Sequence, residues 1–167
     1  MKKIMIALAA LIMISGAVFA EDSGVSKEKL DKLASLTAKE AEKTGLANVD
    51  SYTSSLYDAA RDAVSNGNEL NTLYSDAKSS MGASKMSIIS KATALWTKIK
   101  DNAEAAKSST GLAAKAAEEI KSIKNPAQKA KIAQLLKDNS SIASLLGEET
   151  TSQVKGVGDL LGMLKKK

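Results

Sequence analysis

The sequence predicts an all-α protein, a small Ala-rich antiparallel bundle of about five to seven helices that follows a cleaved signal peptide. Three observations predict it. Apolar residues recur at spacings of three and four, the helical period, through most of residues 26–164. Twenty-two alanines after residue 20 favour helix and close helix contact, although each buries little area, so the core should be thin. Cap and turn residues interrupt the pattern often enough to suggest short helices.

The chain opens with Lys2-Lys3, an apolar run from Ile4 to Ile14, and Ala17-Val18-Phe19-Ala20 ahead of Glu21-Asp22. A charged start, a short apolar stretch and small residues at −3 and −1 read as a secretory signal cut after Ala20, which implies a periplasmic or secreted protein. The apolar run is short for a bilayer span. The expected division is signal peptide 1–20, helical bundle 21–150, and a Gly-containing amphipathic segment 151–167 with a lysine tail.

Ser26 is a suitable N-cap for a first helix with Leu30, Leu33, Ala34, Thr37 and Ala41 on one face, closed by Gly45. Asn48 or Asp50 opens a second, with Val49, Tyr52, Leu56, Ala60 and Ala63, closed near Asn66-Gly67. A third runs from about Asn68 to Met81, with Gly82 beyond it. Ser84 caps the longest pattern, a heptad seam of Ile89, Ala92, Trp96, Ile99, Ala103, Ala106, Thr110, Ala113, Ala117 and Ile120, with Ile88 and Leu95 beside it. Heptad phase persists through Gly111, yet Ser108-Ser109-Thr110-Gly111 is a run of weak helix formers, and the sequence predicts a break or sharp kink there. Asn125-Pro126-Ala127-Gln128 then combines an Asn cap, Pro at N1 and Gln at N3. That helix is expected to end near Asp138-Asn139, and a short one from Ser140 or Ser141 to end at Gly147. In the last segment Val154, Val157, Leu160, Leu161 and Leu164 form an apolar face interrupted by Gly156, Gly158 and Gly162. Three glycines, at ~1 kcal/mol each relative to Ala, make it a poor helix without a core, partner or membrane surface to order it.

Composition narrows function. With no His and no Cys in the chain, Ser-His-Asp triads, cysteine nucleophiles, disulfides and ordinary zinc or haem sites are excluded. Glu118-Glu119 and Glu148-Glu149 are close carboxylate pairs, but neighbours on a helix point about 100° apart and chelate poorly. No catalytic residue, cofactor or metal is assigned, and the chain is read as non-enzymatic. Gly156-x-Gly158-x-x-x-Gly162 lacks the spacing of a phosphate loop, and Gly158-x-x-x-Gly162 suits a close helix contact better.

Charge is uneven: residues 21–83 carry a net −4 and residues 84–167 a net +7. Lys91, Lys98, Lys100, Lys107, Lys115, Lys121, Lys165, Lys166 and Lys167 are therefore candidate contacts for an anionic surface. Arg61 is the single arginine after residue 20, whereas base and bidentate phosphate recognition favours arginine, so no nucleic-acid partner is expected. Ala94-Leu95-Trp96-Thr97-Lys98-Ile99-Lys100 resembles the start of several Ala/Lys-rich amphipathic antimicrobial peptides over seven residues, a likeness of composition. Trp96 is expected to be the core anchor of the bundle. Two functional readings result: surface interaction with a protein or envelope partner or another copy of the chain, or peripheral membrane binding through the lysine-rich second half and the apolar face of 151–167.

Overall fold

Residues 23–79 and 84–166 are described in a computed structural model, and they form four helices: α1 (Lys27–Leu36), α2 (Ala47–Ser79), α3 (Ser84–Lys121) and α4 (Pro126–Lys166). The all-helical class holds. Among the described residues the count is four rather than five to seven, because α2, α3 and α4 run through the expected breaks. The signal peptide, Met81 and Gly82 lie outside the described residues.

Two helix starts follow local chemistry, and that of α2, at Ala47 rather than after Asn48 or Asp50, is capped from a distance. Ser26 accepts from the Lys29 amide, and Asn125 Oδ1 accepts from the amides of Ala127 (2.9 Å) and Gln128 (3.2 Å). The amides of Asn48 and Val49, at the positive end of α2, donate to the Glu119 carboxylate from the far end of α3 at 2.8 and 3.1 Å. The first helix ends at Leu36, well short of Gly45. Thr37 caps it, and the Arg61 guanidinium donates to the carbonyls of Thr37 (2.9 and 3.1 Å) and Lys39 (2.9 Å). Gly45 has a positive φ of 79°, but it belongs to the turn that leads into α2. There Asp50 accepts from the Thr44 amide and hydroxyl and from the Gly45 amide. Burial alone would raise its pKa, but the hydrogen bonds from Thr44 and Gly45 prevail and hold the carboxyl below its usual value.

Each failed break has a tertiary reason or an absence of constraint. Asn66 and Gly67 are buried, and a Cβ on Gly67 would stand 2.7 Å from Leu30 Cδ2 and 2.9 Å from Gln153 Nε2, so the glycine lets α1 approach α2. Asn139 is fully buried and donates to Thr53 Oγ1 at 2.9 Å, which places it inside the bundle rather than at a helix end. Gly111 and Gly147 face open space, and positive φ among the described glycines is confined to Gly24 and Gly45. Each therefore weakens its helix by about 1 kcal/mol without ending it.

Two apolar clusters fix the topology. Val49, Tyr52 and Leu56 of α2 share one with Ala113 and Ala116 of α3 and with Ile132, Ile142 and Leu146 of α4. Leu70, Leu73 and Tyr74 of α2 share the other with Ile88, Leu95 and Ile99 of α3 and with Val157, Leu160 and Leu164 of α4. Hence α2 and α4 run parallel, with α3 antiparallel to both. The short α1 packs on α2 and α4 across from α3, with Leu30 in one cluster and Leu33 in the other. Burying each of those leucines contributes roughly 1.5–3 kcal/mol. The α4 helix is continuous across residue 150, so 151–166 is part of the bundle rather than a separate segment.

Candidate functional site at the middle of the bundle

The residues offered for partner contact have divergent fates. Val157, Leu160 and Leu164 are buried in the bundle core, and Val154 and Leu161 are half-buried against it, so the apolar face of the C-terminal stretch is covered by α1, α2 and α3. Trp96 is half-buried at the margin of the same cluster, while Leu95 and Ile99 fill its interior. The Trp96 ring lies 3.5 Å from where a Cβ on Gly158 would be, and Lys100 Nζ stands 5.2 Å from the ring centroid. Gly158 thus admits a close side-chain contact, whereas Gly162 meets nothing.

The lysines of α3 remain on the surface. Lys98 pairs with Glu69 at 2.9 Å, Lys107 with Glu104 at 2.8 Å, and Lys121 with Glu118. Such exposed pairs contribute ~0–1 kcal/mol each. Lys91 and Lys115 are exposed and have no ion-pair partner among the described residues. Lys165 is exposed too, while the Lys166 side chain and Lys167 lie outside the described residues. The two carboxylate pairs diverge as their spacing requires: Glu119 caps α2 and Glu118 faces Lys121, while Glu148 meets Lys29 at 2.7 Å and Glu149 turns inward.

Between the two apolar clusters the bundle carries a polar layer. Asn66 of α2, Asn102 of α3, and Glu149, Thr150 and Gln153 of α4 are all at least nine-tenths buried. Contacts on either side set their common level: Gly67 faces Gln153, and Trp96 faces Gly158. Gln153 Nε2 donates to Ala63 O at 2.6 Å and to Glu149 Oε1 at 3.1 Å. Asn66 Nδ2, both amide atoms of Asn102, Glu149 Oε2, Thr150 Oγ1 and Gln153 Oε1 have no partner among the described residues. Burial pushes the Glu149 carboxyl up, against the smaller opposing effects of the Gln153 hydrogen bond and the Lys29 charge.

A groove of about 320 Å³ opens beside this layer, between the middles of α3 and α4. Ala103, Ala106 and Ala113 of α3 and Ala143 and Gly147 of α4 line it, and their small side chains leave the space between the two helices unfilled. Tyr52, Leu146 and Thr150 are its buried lining residues beside Ser109 and Ala113. Burial raises the Tyr52 phenol to about 12, so it stays a neutral donor at ordinary pH. Among the described residues no group of three or more acidic, His or Cys side chains is placed to hold a metal, and no helix is long and apolar enough to cross a membrane.

Sequence reasoning missed both the layer and the groove. Buried positions on α3 are Ile88, Ala92, Leu95, Ile99, Asn102, Ser109, Ala113 and Ala116; Ala92, Ile99 and Ala113 are those of the expected seam, and the alternate positions fall one residue earlier than expected. In the correct phase Asn102 and Ser109 would have stood out as polar residues at core positions. Comparison with protein-family models, with curated proteins and with solved structures gave no match.

Proposed function

We propose that the chain is an exported, non-enzymatic interaction protein, cut after Ala20 to a periplasmic or secreted form, that presents the lysine face of α3 to an anionic protein or envelope partner. The observation that carries this reading over membrane insertion is the burial of Val157, Leu160 and Leu164 at 0–5% exposure. An apolar face already inside a core is not available to lipid, since exposing it would forfeit roughly 1.5–3 kcal/mol per large side chain. Apart from Met86 and scattered alanines, α3 offers charged and polar groups to solvent: Lys91 and Lys115 without ion-pair partners, among lysines held only by exposed ion pairs. Lysine on a helix supports diffuse, salt-sensitive attraction.

Elution from an immobilised polyanion tests the reading. The chain is expected to be retained at low salt, and Lys91→Glu with Lys115→Glu to elute markedly earlier while melting as the parent does. Retention unchanged by the double charge reversal would overturn the assignment to this face.

A further inference from the structure

We infer that the groove between α3 and α4 is a binding site for an uncharged, polyhydroxylated ligand of about monosaccharide size. The inference is independent of the lysine-face reading, because it concerns a recess between two helices rather than the outer surface of one.

Its volume, about 320 Å³, lies at the small end of the range of small-molecule sites. Tyr52, Thr110, Ser140 and Ser144 line it, and their hydroxyls have no hydrogen-bond partner among the described residues. Tyr52 as a residue is only 3% exposed, whereas the unpaired Thr150 hydroxyl is closed off from the groove. A phenol carried by an otherwise buried residue and unpaired within the protein marks a place where hydrogen bonds are made to something else. The chemistry of the lining hydroxyls sets the class of ligand. A hydroxyl both donates and accepts, and so matches another hydroxyl in either direction.

Charge favours a neutral ligand. The ionisable rim groups are Lys107 and Glu148, one of each sign, so the groove carries no net charge to select an anion or a cation. The remaining wall is methyl and backbone from Ala103, Ala106, Ala113, Ala143 and Gly147, which suits the C–H faces of a sugar ring.

The test is amide chemical-shift titration of the ¹⁵N-labelled chain with glucose, N-acetylglucosamine and the disaccharide maltose, with glucuronate as the charged control. Saturable shifts are expected for at least one neutral sugar, confined to residues 103–113, 140–151 and the neighbourhood of Tyr52, with glucuronate at least tenfold weaker. Tyr52→Phe combined with Ser140→Ala removes two lining hydroxyls at little change of shape and should weaken binding at least tenfold while leaving the rest of the spectrum in place. Should the double variant unfold, Ser144→Ala with Thr110→Val, at half-buried positions, serves the same purpose. Absence of saturable shifts with all three neutral sugars, shifts located elsewhere, or affinity unchanged in the folded variants would each overturn the inference. So would a double variant that only gains thermal stability in a parent that binds no sugar, which would identify the groove as a hydrated packing defect.

Discussion

Gly156→Ala and Gly147→Ala make the same chemical change on the same helix, and the structure predicts opposite signs for them. A Cβ at residue 156 would come 2.1 Å from the Ser23 carbonyl oxygen and 3.0 Å from Leu70 Cδ2. Ser23 is not free to retreat, since its hydroxyl donates to Asn71 Oδ1 at 2.6 Å and the chain two residues on buries Val25 in the core. Forcing a methyl into such a contact costs about 1–3 kcal/mol or more, and the helix-propensity gain of ~1 kcal/mol offsets only part of it. With a contact that short against backbone, Gly156→Ala should lower stability by ~2 kcal/mol or more. At residue 147 a Cβ meets nothing within 4 Å, so only the propensity gain remains, ~0.5–1 kcal/mol in favour. Thermal melts followed by helical circular dichroism should move in opposite directions, by roughly 2–4 °C per kcal/mol. Two stabilising alanines would refute the docking of the Ser23–Val25 segment on α4. A destabilising Gly147→Ala would refute the continuity of α4.

Three further predictions follow from named contacts. Asn125→Ala removes the acceptor of the Ala127 and Gln128 amides and should cost ~0.5–2 kcal/mol in urea denaturation, whereas Asn125→Ser should retain most of the stability. Arg61→Lys cannot reproduce three bonds to two carbonyls; a loss of ~1 kcal/mol and faster amide exchange over residues 37–46 are expected, and unchanged exchange would contradict the role of Arg61 in holding that segment. Glu149 gives a pH signature. Its folded pKa is raised above the unfolded value of about 4.3, so its contribution is full below that value and is lost as pH rises through the folded pKa. Glu149→Gln should match the parent near pH 4 and exceed it in stability at neutral pH; a constant difference across that window would show that Glu149 titrates alike in the folded and unfolded states and that burial does not raise its pKa. Asp50 acts in the opposite sense at acid pH, and so the comparison is made between variant and parent rather than on the parent alone.

Two helix starts were legible because their chemistry is local: Ser26 and Asn125-Pro126 stand where helices begin. The start of α2, at Ala47 rather than after Asn48 or Asp50, was not, because its amides are capped by Glu119 of α3. The helix ends were not, because glycine and asparagine carry two meanings. At Gly67 the missing side chain admits Leu30, and at Gly156 it admits the Ser23 backbone, neighbours that sequence spacing does not reveal. Asn139 looks like a terminator until its amide is found on Thr53. The α3 seam was misphased for a related reason. Alanine, serine and threonine populate two adjacent faces almost equally, so Ile89 and Trp96 competed with Ile88 and Leu95, and burial decides for the latter pair. That shift of one residue concealed Asn102, and with it the polar layer beside the groove.

The central claim is that the C-terminal apolar face belongs to the bundle and that any contact with anionic surfaces is made by lysines alone. Co-sedimentation of residues Glu21–Lys167, which include the four described helices, with anionic vesicles tests it most directly, with Trp96 emission followed in the same samples. The account predicts that any association at low salt disappears by about 0.5 M salt, where the screening length falls to a few ångströms, and that the emission maximum does not move. Pelleting that survives such salt together with a blue-shifted Trp96 would show that the bundle opens and inserts its apolar face, and would contradict the account.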